Sequence, residues 1–223
     1  MLEVRRAADR YRGGDAAAGI DTRHAFSFSG FYDPGNVGFG LLVACNEERL
    51  EPGAGFALHP HRDLEIVTWV VEGELEHRDS TGVSTLVRPG DLQRLGAGSG
   101  VRHVERNAGH GVLRFVQMWL VPGEFGGPPE YEVVRGIADA TPFAVPRTDA
   151  VLHVRRLAGG ERTGVPDAQF VHLHVVRGTV QLDGERLAAG DAARVTAAEG
   201  LVATAHGDAE LLVWEMHAEP VYG

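Results

Sequence analysis

The sequence predicts an all-β protein made of two similar barrels, and three observations carry that expectation. Thirty glycines and eleven prolines cut the chain into short segments rich in Val, Leu and Phe, which is the composition of strands separated by turns. The segments EIVTWVVEGELEHR (65–78), LRFVQMWLV (113–121), FVHLHVVRGTVQL (170–182) and ELLVWEMHA (210–218) are separated by turn signals such as RPGD, LDGE and AAGD, where Gly, Pro and Asp supply the backbone conformations a turn needs. The chain also repeats itself: VVEGELE (70–76) resembles VVRGTVQ (175–181), RPGD ending at Asp91 resembles AAGD ending at Asp191, and FVQMWL near Trp119 resembles LLVWEM near Trp214.

Taken in chain order, the opening stretch MLEVRRAADRYR (1–12) has helical composition, as does VVRGIADA (133–140); both are expected as short helices. Between and after them the expectation is strand. The step from Gly73 to Gly178 is about a hundred residues, too long for a solenoid repeat and suited to a duplicated small domain. VPGEFGGPPEYE (121–132) is the best linker, because glycine and proline discourage regular structure there. Residues 1–125 and 126–223 are therefore expected to form one domain each.

Composition excludes several functions. A formal net charge of −10 opposes a surface that neutralises phosphates, so direct nucleic-acid binding is not expected. One cysteine, Cys45, rules out an internal disulfide, and the start has no apolar run like that of a signal peptide. No stretch approaches the roughly 18 apolar residues of a membrane span. The expectation is a cytoplasmic protein without membrane contact.

The chemistry concentrates in two short stretches. In HPHRDLE, His59 and His61 stand one residue apart, and in GVRHVERN so do His103 and Glu105. Side chains two apart on a strand share a face with Cα atoms about 7 Å apart, and neighbouring strands lie about 4.8 Å apart, so two such pairs can converge four donors on one point. Three imidazoles and a carboxylate suit a divalent first-row metal. Other histidines lack such partners: His24, His77, His110, His153, His206 and His217 are expected at the surface or in turns. His172 and His174 form a further pair, but counted from Gly178 they align with Val67 and Trp69 and are expected to face away from the second barrel's interior. Phe26, Phe28, Phe39 and Phe56 are candidates to line an aromatic pocket, although core packing is the commoner fate of such residues. Asn107 is a candidate either to support the metal shell or to shape a turn.

These spacings resemble the two motifs of the cupins: H-x-H, about a dozen residues to a glycine, P-G-D, then G-x-x-H-x-x-x-N through Gly100, His103 and Asn107. The wording HPHRDLEIVTWVVEGELEHRDS, with FSFSGFYDP and VGFG upstream, is similar to the pirin family in particular. That resemblance implies two cupin barrels and one metal, usually iron(II), held in the first barrel by His59, His61, His103 and Glu105; manganese, nickel, cobalt, copper and zinc suit the same donors. Many cupins carry a glutamate in the first motif, where this chain has Ile66; Glu65 beside it has the opposite strand parity and is expected to be structural. Counted from Gly178 and Gly200, the corresponding places in the second half are Gly164, Pro166, Ala203 and Ala205, so no metal is expected there.

Several pirins are quercetin 2,3-dioxygenases, which implies a flavonol and dioxygen as partners, with Glu105 as ligand and catalytic base. Other pirins are regulators that bind a transcription factor or a metabolic enzyme. The second class remains open at this point, since a ligand set does not reveal turnover.

Overall fold

The computed structural model describes residues 1–221. Its strands begin with β1 (Leu2–Arg5), β2 (Tyr11–Asp15), β3 (Ile20–His24), β4 (Leu42–Leu50) and β5 (Gly55–His61). They continue with β6 (Glu65–Glu72), β7 (Leu75–Asp79), β8 (Ser84–Val87), β9 (Leu92–Gly96), β10 (Val101–Asn107), β11 (Leu113–Leu120) and β12 (Glu130–Val134). The C-terminal half adds β13 (Pro142–Ala144), β14 (Ala150–Leu157), β15 (Arg162–Gly164), β16 (Ala168–Arg177) and β17 (Thr179–Leu182). β18 (Glu185–Ala188), β19 (Ala192–Ala198), β20 (Val202–Ala205) and β21 (Ala209–Met216) complete it. Among the described residues the only helical turns are 3₁₀ turns at Ala7–Asp9 and Ala16–Ala18, and no helix is long and apolar enough to cross a membrane.

The chain divides into two units. One holds Tyr11–Gly38 and Leu42–Ile137, as sheets ordered β12-β9-β6-β11-β4-β3-β2 and β5-β10-β7-β8. The other holds Met1–Arg10, Phe39–Leu41 and the chain from Ala138 onward, as sheets ordered β1-β19-β16-β21-β14-β13 and β15-β20-β17-β18. The orders β5-β10-β7-β8 and β15-β20-β17-β18 match strand for strand, as do β9-β6-β11-β4 and β19-β16-β21-β14, so the repeat read in the sequence is a repeat of topology.

Its landmarks have mechanical reasons. Gly73 and Gly178 adopt φ of 83° and 79°, and a Cβ would stand 2.8 Å from the Val112 carbonyl oxygen at the first and 2.2 Å from that of Asp208 at the second. Only glycine fits a left-handed turn so close to neighbouring backbone. Asp91 and Asp191 each accept a hydrogen bond from the backbone N–H three residues earlier, at 3.1 and 3.0 Å. Each also anchors an arginine from a distant segment, Arg135 at 2.6 Å and Arg6 at 3.1 Å.

Three features differ from expectation. Residues 1–12 form no α-helix, only the 3₁₀ turn at Ala7–Asp9: Leu2–Arg5 pairs with β19, from Leu2 opposite Val195 to Arg5 opposite Ala192, while Tyr11–Asp15 pairs with β3. Open sheet edges supply partners that a count of helix formers does not register, and Leu2 and Val4 pack on the second core. In 133–140 the strand β12 pairs with β9 and gives way to a turn at Gly136, φ 54°. Because β12 belongs to the first sheet, the division between units falls after Ile137 rather than after residue 125, and the first ten residues belong with the second unit.

Inside the first unit, apolar and polar side chains form layers. One apolar cluster contains Ile20, Leu50, Val70, Leu75, Val87, Leu113 and Phe115; another contains Ile66, Leu95, Ala97 and Val101, with Trp119 against it. Strand periodicity forces the intervening residues of the same faces into one layer between them. They are Thr22 and His24 on β3, Asn46 and Glu48 on β4, Thr68 on β6, Gln93 on β9, His103 and Glu105 on β10, and Gln117 on β11, all buried. Gln93, Thr68, Gln117, Asn46 and His24 stand directly opposite one another across five strands.

Candidate metal centre

β5 and β10 lie side by side with His103 opposite His59 and Val101 opposite His61. The ligand atoms of His59, His61 and His103 lie within 4.8 Å of one another. A second group, His77, His103 and Glu105, meets the same limit, so His103 is shared and Glu105 stands with His103 and His77. Glu105 also lines the cavity that His59 and His61 line.

The surrounding hydrogen bonds assign the imidazole tautomers. His59 Nδ1 lies 2.7 Å from the Ala57 carbonyl oxygen; a carbonyl only accepts, so Nδ1 carries the proton and Nε2 is bare. On β7, His77 Nε2 lies 3.0 Å from Asp79 Oδ2. Burial works against charge on Asp79, but hydrogen bonds from Thr81, His77 and Val83 hold its carboxyl below the usual range. With its single proton at Nε2, His77 presents a bare Nδ1 to His103 Nδ1 at 3.4 Å. His103 Nδ1 then donates, and its Nε2 is also bare.

Those two bare nitrogens, His103 Nε2 and His59 Nε2, face each other at 2.9 Å. Lone pairs at that distance repel unless a cation lies against both, and nitrogens at right angles around one first-row cation stand about 3 Å apart. His61 Nε2 is buried without a hydrogen-bond partner. Burial first, then the neighbouring imidazoles, push both His61 and His103 down to about 3, so these rings are neutral at physiological pH. The donor set fits a divalent transition metal.

Glu105 is held on both sides. Gln93 Nε2 donates to Oε1 at 3.0 Å and Gln117 Nε2 to Oε2 at 2.8 Å. Their carbonyl ends are fixed in turn, by Tyr131 Oη at 3.0 Å and Trp119 Nε1 at 3.0 Å. Amides from two strands thus aim one carboxylate, and each oxygen keeps a second lone pair. Tyr131 is half-buried, and that desolvation, together with the nearby Glu105, raises its hydroxyl above the ordinary range.

The site opens on a cavity of about 770 Å³, in the range of small-molecule sites. Its walls include Phe28, Phe56 and Trp119 besides the polar layer. Phe28 stacks on His24 at 4.8 Å and meets Trp119 edge-on at 5.0 Å; Trp119 meets His61 at 4.9 Å. Gly13 leaves room for His24, whose Nε2 would lie 2.3 Å from a Cβ there.

Of the other singled-out residues, His110, His206 and His217 are exposed and His153 pairs with Glu215 at 2.7 Å. His24 and His77 are not surface residues: they are buried, His24 bonded to Asn46 at 3.0 Å and His77 stacked on Tyr131 at 4.4 Å. The signal for His77 was H-x-D, a donor and an acceptor two apart on a strand. Phe26 is core and Phe39 packs on Phe170. Asn107 shapes the turn, bonding Leu50 O, Gly111 O and Gly109 N. Glu65 is structural, buried against Arg94 at 2.7 Å. In the second unit Val171, Leu173, Ala203 and Ala205 are core. His172 and His174 have the opposite parity but are fully buried, with Arg10 Nη2 at 3.0 Å from His174 Nδ1.

A doubled antiparallel barrel with a His/Glu donor cluster in its first copy defines a two-cupin protein. The chain belongs to the pirin family: the family's sequence profile matches residues 4–120, and that of the quercetinase C-terminal cupin domain matches 146–216. A protein of Mycobacterium tuberculosis with a provisional quercetin 2,3-dioxygenase name is 41% identical, covering 98% of this chain and 96% of its own. The quercetin 2,3-dioxygenase of Escherichia coli K12 is 34% identical, over 97% and 99%. Among solved structures, the Escherichia coli bacterial pirin YhhW in complex with nickel(II) superimposes with a TM-score of 0.90 at 30% identity, over 99% of this chain and 100% of that one.

Proposed function

We propose that this pirin is a flavonol 2,3-dioxygenase of the quercetinase type, using one divalent transition metal, iron(II) by preference, held by His59, His61, His103 and Glu105. The observation that carries this reading is the clustering of the His59, His61 and His103 ring nitrogens within 4.8 Å of one another, with His59, His61 and Glu105 lining a cavity that has aromatic walls; the relatives' names supply the substrate class. Such a metal supplies Lewis acidity toward the flavonol hydroxyl and, where redox-active, a path for electrons between flavonol and dioxygen.

The protein's part is placement and exclusion of water. Phe28, Phe56 and Trp119 offer apolar surfaces to a flat ring system. Glu105, aimed by Gln93 and Gln117, supplies negative charge beside the histidines, and its second lone pairs can take a hydroxyl proton. In this reading the metal is confined to the first barrel, because Gly164, Pro166, Ala203 and Ala205 offer no donor side chain where the second would need them.

The test is oxygen uptake and carbon monoxide release with quercetin by the iron-loaded protein. Turnover that disappears on chelation and returns with metal supports the proposal. Metal-replete protein that consumes no oxygen with any flavonol overturns it and favours the binding role.

A further inference from the structure

We propose that Glu48 determines substrate specificity: its second carboxyl oxygen hydrogen-bonds a hydroxyl of a flat, polyhydroxylated aromatic ligand other than the hydroxyl that reaches the three-histidine cluster. The inference rests on the flavonol reading and deepens it. Glu48 is only 5% exposed, and it lines the same cavity as His59, His61 and Glu105. Thr22 Oγ1 donates to its Oε2 at 2.5 Å. Its Oε1 makes no hydrogen bond among the described residues and is not sealed from the cavity.

The contrast with Glu105 gives the feature its meaning. Glu105 has an amide on each oxygen, whereas Glu48 has a single anchor and one oxygen left over. That oxygen faces the cavity with no protein donor against it among the described residues, and a ligand hydroxyl that displaces solvent there can pair with it. The strand register fixes where the contact falls. Glu48 stands opposite Thr22 on β3 and Phe115 on β11, two residues along β4 from Asn46 and so on the same face, and Asn46 stands opposite Gln117. Burial, then Glu105 and Asp21, raise its carboxyl to about 8 despite the Thr22 bond, so near neutrality a donor O–H is available as well as an acceptor.

Two flavonols separate the ideas: quercetin, with hydroxyls on both ring systems, and 3-hydroxyflavone, which keeps only the one beside the carbonyl. Affinities are measured under nitrogen on the metal-loaded, full-length protein, so that nothing is turned over. Glu48→Leu should weaken quercetin about 5- to 10-fold while leaving 3-hydroxyflavone within about 2-fold, the loss of one hydrogen bond. Glu48→Gln, which keeps both hydrogen-bonding functions, should restore most of the difference. Thr22→Val, which removes only the anchor, should give a smaller selective loss, and it decides the matter if Glu48→Leu does not fold. Equal losses for both flavonols, or none, overturn the role of Glu48 and leave the oxygenase reading standing. Wild-type protein that binds neither flavonol overturns both.

Discussion

Replacing His77 with phenylalanine probes the hydrogen-bond chain that sets the metal-facing nitrogen of His103. Phenylalanine preserves the stack on Tyr131, 4.4 Å between centroids at 21°, so packing is largely retained. What disappears is the bond to Asp79 at 3.0 Å and the bond to His103 at 3.4 Å. A buried polar group left without a partner costs ~1–3 kcal/mol, and two are created, Asp79 Oδ2 and His103 Nδ1. Asp79 keeps the bonds from Thr81 and Val83 on its other oxygen, which puts the loss of stability nearer ~2–3 kcal/mol than the sum of two full penalties. Without its outer partner His103 is no longer held in the required tautomer, and metal affinity should fall about 10- to 100-fold. The assay is titration against a chromophoric chelator, with urea denaturation of the same samples. His77→Asn, which can accept from His103, should recover part of the affinity. Wild-type affinity in His77→Phe would refute the tautomer argument.

Further outcomes follow from other buried groups. The Glu48 carboxyl is raised from 4.5 to about 8, so its contribution to stability is full below the unfolded value and is lost as pH rises through the folded one; at ~1.4 kcal/mol per pH unit the ceiling is about 5 kcal/mol. In metal-stripped protein Glu48→Gln should therefore flatten the decline in denaturation midpoint between pH 5 and 8, and parallel curves for the two proteins would count against it. Arg94 and Glu65 form a buried pair at 2.7 Å with side chains 4% and 1% exposed; Arg94→Met should destabilise by ~3–5 kcal/mol, because the buried Glu65 carboxylate loses the guanidinium that balances its charge. Metal stoichiometry, measured by elemental analysis, should stay unchanged, and loss of metal would place Glu65 in the site after all.

What could be read from the sequence was whatever local spacing determines. The pairs His59/His61 and His103/Glu105 were legible because strand parity turns a separation of two into a shared face. The duplication was legible because the same glycine and aspartate turns recur. His77 was missed because its partners in the structure are Asp79 on its own strand and His103 on another; only the former is local, and a carboxylate next to a lone histidine on a polar-looking strand, LEHRD, reads as solvent-facing. Glu48 was missed for a related reason. In LVACNEERL, Asn46 and Glu48 occupy the parity of Leu42, Ala44 and Leu50, but only the opposing Thr22, His24 and Gln117 show that the face stays buried. The helical expectation for 1–12 failed because pairing with β19, almost two hundred residues away, overrides weak local propensity.

Anomalous diffraction from crystals loaded with iron(II) or nickel(II) tests the central claim most directly. The account predicts one peak per chain within bonding distance of the Nε2 atoms of His59, His61 and His103, with the Glu105 carboxylate turned to the same ion. A peak on the Nδ1 side of His103, held by His77 and Glu105, or a peak in the C-terminal barrel, would contradict it.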